Sequence, residues 1–224
     1  MSEVLDIIKK RGVTRLCHFT KVNKMLHILS DSDGIKSNVF IEEGIIEKND
    51  KNRFDGHEDY ISTSIQYPNI WYLNKVKDLD PLFKKWVILC IDPSIIEDSR
   101  TLYCETNAAT KRGALLTKGS EGLNKMFSTK TNGNRVMYRK PRMLTCCPTD
   151  DQAEVMIYGN IPRDKIIGII VKSDKEAKDL LFMLELSNIN IQIPIIIAPD
   201  VFDKKFSDQI REGIRPSENI LKFW

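Results

Sequence analysis

Thr149-Asp150-Asp151-Gln152-Ala153-Glu154-Val155-Met156-Ile157-Tyr158 is the stretch around which the chain is organised. A polar, turn-forming run ends at Gln152, and an apolar, strand-like run begins at Val155. Glu154 stands at the seam. A carboxylate that opens a strand just after a loop points into a rim rather than into bulk solvent or core. Strand alternation puts Gln152 on the same face, two residues earlier. A glutamate in such a place is ordinarily a solvated face residue. The company it keeps elsewhere makes Glu154 a candidate catalytic residue.

Immediately upstream lies the strongest compositional asymmetry of the chain. Residues 111–145 hold nine Lys or Arg and one acid, Glu121, so the segment carries +8 while the whole chain carries +3 and the remainder −5. Its basic residues are interspersed with Gly113, Gly119, Gly122, Gly133, Asn132 and Asn134. Such a mixture suits a flexible loop that contacts phosphates. It suits equally a solvated face that neutralises acidic neighbours. The candidates for nucleic-acid contact are Lys111, Arg112, Lys118, Arg135, Arg139, Lys140 and Arg142.

Further upstream, Trp86 to Ile91 is apolar throughout and of strand length, hence a central strand. Tyr60-Ile61-Ser62-Thr63-Ser64-Ile65 alternates hydroxyls with apolar residues. Hydroxyls on one strand face can support a ligand or a carboxylate, or simply suit an edge. Ile70 to Val76 has helical character, with Trp71 and Tyr72 as core or pocket wall. Residues 31–59 read as a long, charged loop containing Arg53 and His57, and such loops are functional or mobile. Val13 to Phe19 predicts a strand. Thr20 predicts the cap of a helix reaching Ser30, so His18 and Thr20 fall where a strand hands over to a helix N-terminus, which favours anions. An amphipathic helix over residues 2–10, ended by Gly12, precedes it.

Downstream, Gly159-Asn160-Ile161-Pro162 ends the Glu154 strand. Lys165 to Lys172 predicts a buried strand, Ser173 to Glu176 a capping box opening a helix, and Ile191 to Ile197 a last strand before a charged tail. Strands mixed with short helices, without regular alternation, predict an α+β fold. At 224 residues the chain is expected to form one domain, 1–224. Five cysteines at irregular spacing predict neither a disulfide framework nor a zinc site, and point to a reducing, cytoplasmic setting. The N-terminal residues lack the pattern of a signal peptide. The longest apolar run, Ile193 to Pro199, is too short to span a bilayer.

His18-Phe19-Thr20, the Ser62-Thr63-Ser64 strand and Gln152-Ala153-Glu154, in that order, resemble an ADP-ribosyltransferase. Cys17-His18-Phe19-Thr20-Lys21-Val22, Asp59-Tyr60 and Gln152 to Tyr158 are similar to the DarT family of DNA-modifying toxins, over about residues 13 to 175. The resemblance implies a split, strongly bent β core with NAD in its cleft. It implies transfer of ADP-ribose from NAD to a base of single-stranded DNA, no metal, and a macrodomain antitoxin (DarG-like) as partner, with no membrane involved. Glu154 would match the family's catalytic glutamate, and His18 and Thr20 its His-x-Thr at the NAD pocket, with Ser62 and Gln152 also binding NAD. Arg53, the only arginine of the long loop, would match the family's loop arginine and pair with the pyrophosphate. Ile61 to Asn69 departs from the aromatic, Pro-Arg-Ser-Pro-ending segment of the thymine-modifying branch and looks more like the guanine-modifying one.

Loss of nicotinamide develops an oxocarbenium-like ribose, as in glycoside hydrolysis. A nearby carboxylate stabilises it and can take the proton of an attacking base nitrogen. The basic segment would track phosphates of a strand whose base is already splayed out. Other readings keep their place: an RNA or protein acceptor, water as acceptor, a binding module without catalysis, or an RNA 2′-phosphotransferase of related fold.

Overall fold

The computed structural model of the chain describes residues 2–40, 55–80 and 85–221. In chain order the elements are α1 (Glu3–Arg11), β1 (Leu16–Lys21), α2 (Val22–Ser30), β2 (Ile35–Lys36), β3 (Tyr60–Ile65), α3 (Ile70–Leu79), β4 (Trp86–Ile91), β5 (Leu102–Cys104), β6 (Thr117–Lys118) and α4 (Gly119–Lys125). They continue with β7 (Lys130–Asn132), β8 (Val136–Tyr138), β9 (Glu154–Tyr158), β10 (Asn160–Ile161), β11 (Ile166–Val171), α5 (Asp174–Leu186), β12 (Ile195–Ile197), α6 (Phe206–Arg211) and β13 (Asn219–Leu221). The expected α+β class holds.

Strand β4 is the centre. All six of its residues are buried, as a run without polar alternation demands when both faces are covered. It pairs along its length with β1, from Leu16–Ile91 to Lys21–Trp86, and on its other side with β11. Among the described residues the main sheet runs β13-β12-β11-β4-β1-β3-β9-β5-β6.

The junction in the middle of that order shapes the site. β1 and β3 pair only at Leu16–Ile65 and Cys17–Ser64. Beyond these, β1 stays with β4 to Lys21, whereas β3 pairs with β9 from Thr63–Val155 to Tyr60–Tyr158. The sheet therefore parts between His18 and Ser62 into two halves, the split core that the resemblance implied.

Local signals account for the surrounding helices. Gly12 ends α1 with φ +69°, its N–H donating to the Ile8 and Lys9 carbonyls. Ser173 Oγ accepts from Glu176 N–H at 3.3 Å and opens α5, which buries Ala177, Leu180 and Leu184. Three expectations need correction. Thr20 does not cap a helix: it is fully buried in β1 opposite Val87, and α2 begins after Lys21. Pairing with β4 outweighs the local cap signal. The last predicted strand starts at Ile195 rather than Ile191, because Pro194 has no N–H for a ladder. The charged tail folds as α6 and β13, the latter pairing with β12. All five cysteines are free and buried. No helix among the described residues is long and apolar enough to cross a membrane.

Candidate active site

Glu154 is the first residue of β9 and only 7% exposed. Its strand is held from both sides. Cys104 of β5 is its register partner, and Thr63 Oγ1 of β3 donates to the Val155 carbonyl at 2.8 Å. A buried carboxylate needs donors, since an unpaired one costs several kcal/mol. The loop after β5 supplies them: Asn107 Nδ2 donates to Glu154 Oε1 at 2.9 Å, and the Ala108 N–H donates to Oε2 at 3.3 Å. Asn107 is itself fixed, its Oδ1 accepting from Ala109 N–H at 3.1 Å and its carbonyl from Thr110 N–H at 2.9 Å. Each carboxylate oxygen thus meets at least one donor, and the side chain is oriented by the fold itself.

Across the parting of the sheet, His18 Nδ1 stands 3.0 Å from the Ser62 carbonyl oxygen. Only a protonated Nδ1 can donate to a carbonyl, so in the neutral ring Nε2 carries the lone pair. Ser62 is half-buried, whereas Ser64 Oγ accepts from Asn69 N–H at 3.2 Å. The hydroxyls of β3 therefore divide: Thr63 and Ser64 are engaged in the fold, and Ser62 is half-buried on the strand residue whose carbonyl meets His18. Arg53 lies outside the described residues.

The turn before β9 is built from carboxylates. Asp150 Oδ1 accepts from Gln152 N–H at 2.9 Å, so Gln152 sits in the turn and not two residues down a strand, as alternation predicted. Asp150 is 1% exposed, and burial holds its carboxyl above the usual range. Asp151 Oδ2 accepts from the Trp71 indole at 2.7 Å and from Ser207 Oγ, tying the turn to α3 and α6.

The basic segment divides in the same way. Arg139 is half-buried and donates to the carbonyls of Cys147 and Leu144 at 2.9 Å each. Lys140 pairs with Glu212. Lys111, Arg112, Lys118, Arg135 and Arg142 are exposed. Lys111 and Arg112 lie on the loop that holds Glu154, with φ of 52° and 55°. Two successive non-glycine residues in the left-handed region store strain, which concentrates at functional sites. The β7–β8 hairpin covers the same loop: a Cβ on Gly133 would collide with the Thr106 hydroxyl, and Asn132 N–H donates to Glu105 at 3.0 Å.

Residues 17–203 match the family model described as "ssDNA thymidine ADP-ribosyltransferase, DarT". The chain belongs to the DarT family. The family's reaction is NAD-dependent ADP-ribosyl transfer to single-stranded DNA, and this member is an enzyme of that class. Solved structures agree on the fold. Thermus sp. 2.9 DarT in complex with NAD+ superposes with TM-score 0.59 at 12% identity, covering 85% of this chain and 98% of that one. The same protein in complex with ADP-ribosylated ssDNA gives 0.60 at 12%, covering 86% and 97%. Thermosipho africanus DarTG in complex with ADP-ribose gives 0.58 at 16%, covering 84% of this chain and 51% of that one, so the chain spans about half the Thermosipho protein. Comparison with curated proteins gives no significant match.

Asn107 and Ala108 escaped the sequence reading. They meet Glu154 from 47 and 46 positions away in the chain, through a loop without helical or strand periodicity. The only local sign was the turn-forming Thr106-Asn107 pair.

Proposed function

We propose that this DarT-family member is the toxin of a toxin–antitoxin pair. It transfers ADP-ribose from NAD to a base of single-stranded DNA, releasing nicotinamide, and a macrodomain antitoxin (DarG-like) is its partner. Guanine is the preferred base. That choice rests on Ile61 to Asn69, which departs from the thymine-modifying pattern, although the family model is described by thymidine.

The Glu154 carboxylate, buried and held by Asn107 and Ala108, carries the reading. In the reaction the bond between the ribose anomeric carbon and nicotinamide breaks, its electron pair leaving with nicotinamide. A bond forms from that carbon to a base nitrogen, and the nitrogen's proton passes to Glu154. The carboxylate stabilises the positive ribose and serves as general base. Its preset orientation spares reorganisation during the reaction. His18 and Ser62, at the parting of the two half-sheets, hold the donor with Gln152, and Thr20, fully buried in β1, supports that wall from within the sheet. Arg53 pairs with the pyrophosphate, by charge-assisted hydrogen bonds. Lys111, Arg112, Lys118, Arg135 and Arg142 meet the phosphates of the strand. Lys140 and Arg139, engaged with Glu212 and with backbone carbonyls, support that surface from behind.

The test is mass spectrometry of oligonucleotides incubated with the protein and NAD, beside RNA and protein pools. One added ADP-ribose on guanine of single-stranded DNA is expected. The mark on thymine would overturn the base, and labelling of RNA or protein alone would overturn the acceptor.

A further inference from the structure

Trp71, in the first turn of α3, keeps 46% of its surface exposed, although the chain's apolar residues largely fill the core. Its indole Nε1–H is tied to Asp151 Oδ2 at 2.7 Å, and Ser207 holds that same oxygen. The ring is thus anchored by its one polar atom while part of its surface meets solvent. Asp151 is only three residues before Glu154 in the chain. Its side chain is 6% exposed, and its Oδ1 is buried without a hydrogen-bond partner.

Arg135, at the tip of the β7–β8 hairpin, faces both groups. Its guanidinium lies 5.6 Å from the Trp71 ring centroid and 3.7 Å from Asp151 Oδ1, and its side chain is 51% exposed. That separation is too long for a hydrogen bond. A small approach of the guanidinium would satisfy the orphaned oxygen. Next to the ring lies an open cavity of about 390 Å³, lined by Ile70, Trp71, Asn74, Lys75, Asp78 and Lys204 among others. Cavities upward of about 300 Å³ accept small organic ligands. Lys75 and Lys204 are exposed on its rim, Lys204 at 4.0 Å from Asp78.

A fixed, exposed indole beside an exposed guanidinium and lysines matches the needs of a nucleotide. The base stacks on the aromatic ring and the arginine adds cation–π attraction. The cations complement the phosphate. We propose that Trp71 and Arg135 form a stacking subsite for a nucleobase of the single strand flanking the modified one, with Lys75 and Lys204 on its phosphate. The subsite rests on the DNA-acceptor reading above. The adenine of NAD presents the same chemistry. The strand is favoured because Arg135 belongs to the basic hairpin, and Asp151 to the turn under it, rather than to β1.

Steady-state kinetics on one guanine-containing oligonucleotide separate the possibilities. Trp71→Ala is expected to raise the oligonucleotide KM about thirtyfold, the middle of the range for one lost base stack. Trp71→Phe, which keeps an aromatic face and loses the indole N–H, retains most of the affinity. Arg135→Ala gives a smaller rise. Abasic sugars flanking the target are expected to erase the difference between Trp71→Ala and the parent. An unchanged oligonucleotide KM in a folded Trp71→Ala protein overturns the subsite and leaves the acceptor reading intact. A raised KM for NAD instead assigns the ring to the donor's adenine and overturns it too. Failure of the parent protein to modify any single strand overturns the acceptor reading, and the subsite with it.

Discussion

The loop after β5 has two ends that behave differently. At Asn107 and Ala108 it is turned inward, with a donor on each oxygen of a buried carboxylate. Four residues later, at Lys111 and Arg112, it is exposed and in left-handed backbone conformation. Gly113, with φ +84°, follows so close to the Asp55 carbonyl that a Cβ there would collide. One short segment therefore orients a buried carboxylate at one end and leaves two cations exposed at the other. The difference fits the proposed roles: an acid that reacts has to be oriented beforehand, whereas cations that meet phosphates need only be reachable.

The sharpest break of that comparison is Glu154→Ala. It is expected to lower kcat on the order of a thousandfold or more, as for loss of a group that stabilises developing charge. NAD should still bind, as read by thermal shift. Robust DNA labelling by this variant would remove Glu154 from the chemistry. Asn107→Ala comes next, with kcat lowered about tenfold, the worth of one charge-assisted hydrogen bond, and little change in either KM. A parallel loss of melting temperature without that kinetic split would make Asn107 merely structural.

The outward end should respond in the opposite parameter. Lys111→Glu with Arg112→Glu is expected to raise the KM for DNA at nearly constant kcat. It should also flatten the dependence of log KM on log salt by about 1.4, for two single-strand phosphate contacts. An unchanged salt slope would place the strand elsewhere. Thr63→Val is smaller again. It removes the hydroxyl that donates to the Val155 carbonyl and should cost about 1 kcal/mol of stability in denaturant titrations. Loss of activity at full stability would give Thr63 a direct role.

The smallest effect is one of pH. Burial raises the Asp150 carboxyl in the folded protein, so the folded state holds its proton more tightly than the unfolded chain. That contribution to stability is greatest below the unfolded value of about 3.9 and falls as pH rises toward the folded one. Asp150→Asn keeps an acceptor for the Gln152 N–H and should show a shallower fall over that range. Denaturant midpoints measured against pH would show it, and parallel curves for the two proteins would remove Asp150 from the linkage.

Much of the framework was legible along the chain. Trp86 to Ile91 declared a central strand because unbroken apolar side chains need cover on both faces. Glu154 was conspicuous because a polar turn gives way to an apolar strand at that residue. Thr20 misled, since its cap signal is local and the pairing with β4 that overrides it is not. The charged tail hid α6 and β13, whose apolar positions are few and find their cover only on distant elements.

What the residues determined by themselves was the α+β class, the central strand, the seam at Glu154 and the basic segment, all carried by periodicity and charge over short spans. Tertiary structure alone decided which donors reach the carboxylate, where β1 and β3 part, which arginines face outward, and that Trp71 meets Asp151 and Arg135. These depend on segments tens of residues apart, and no local pattern encodes a distance that only the folded chain creates.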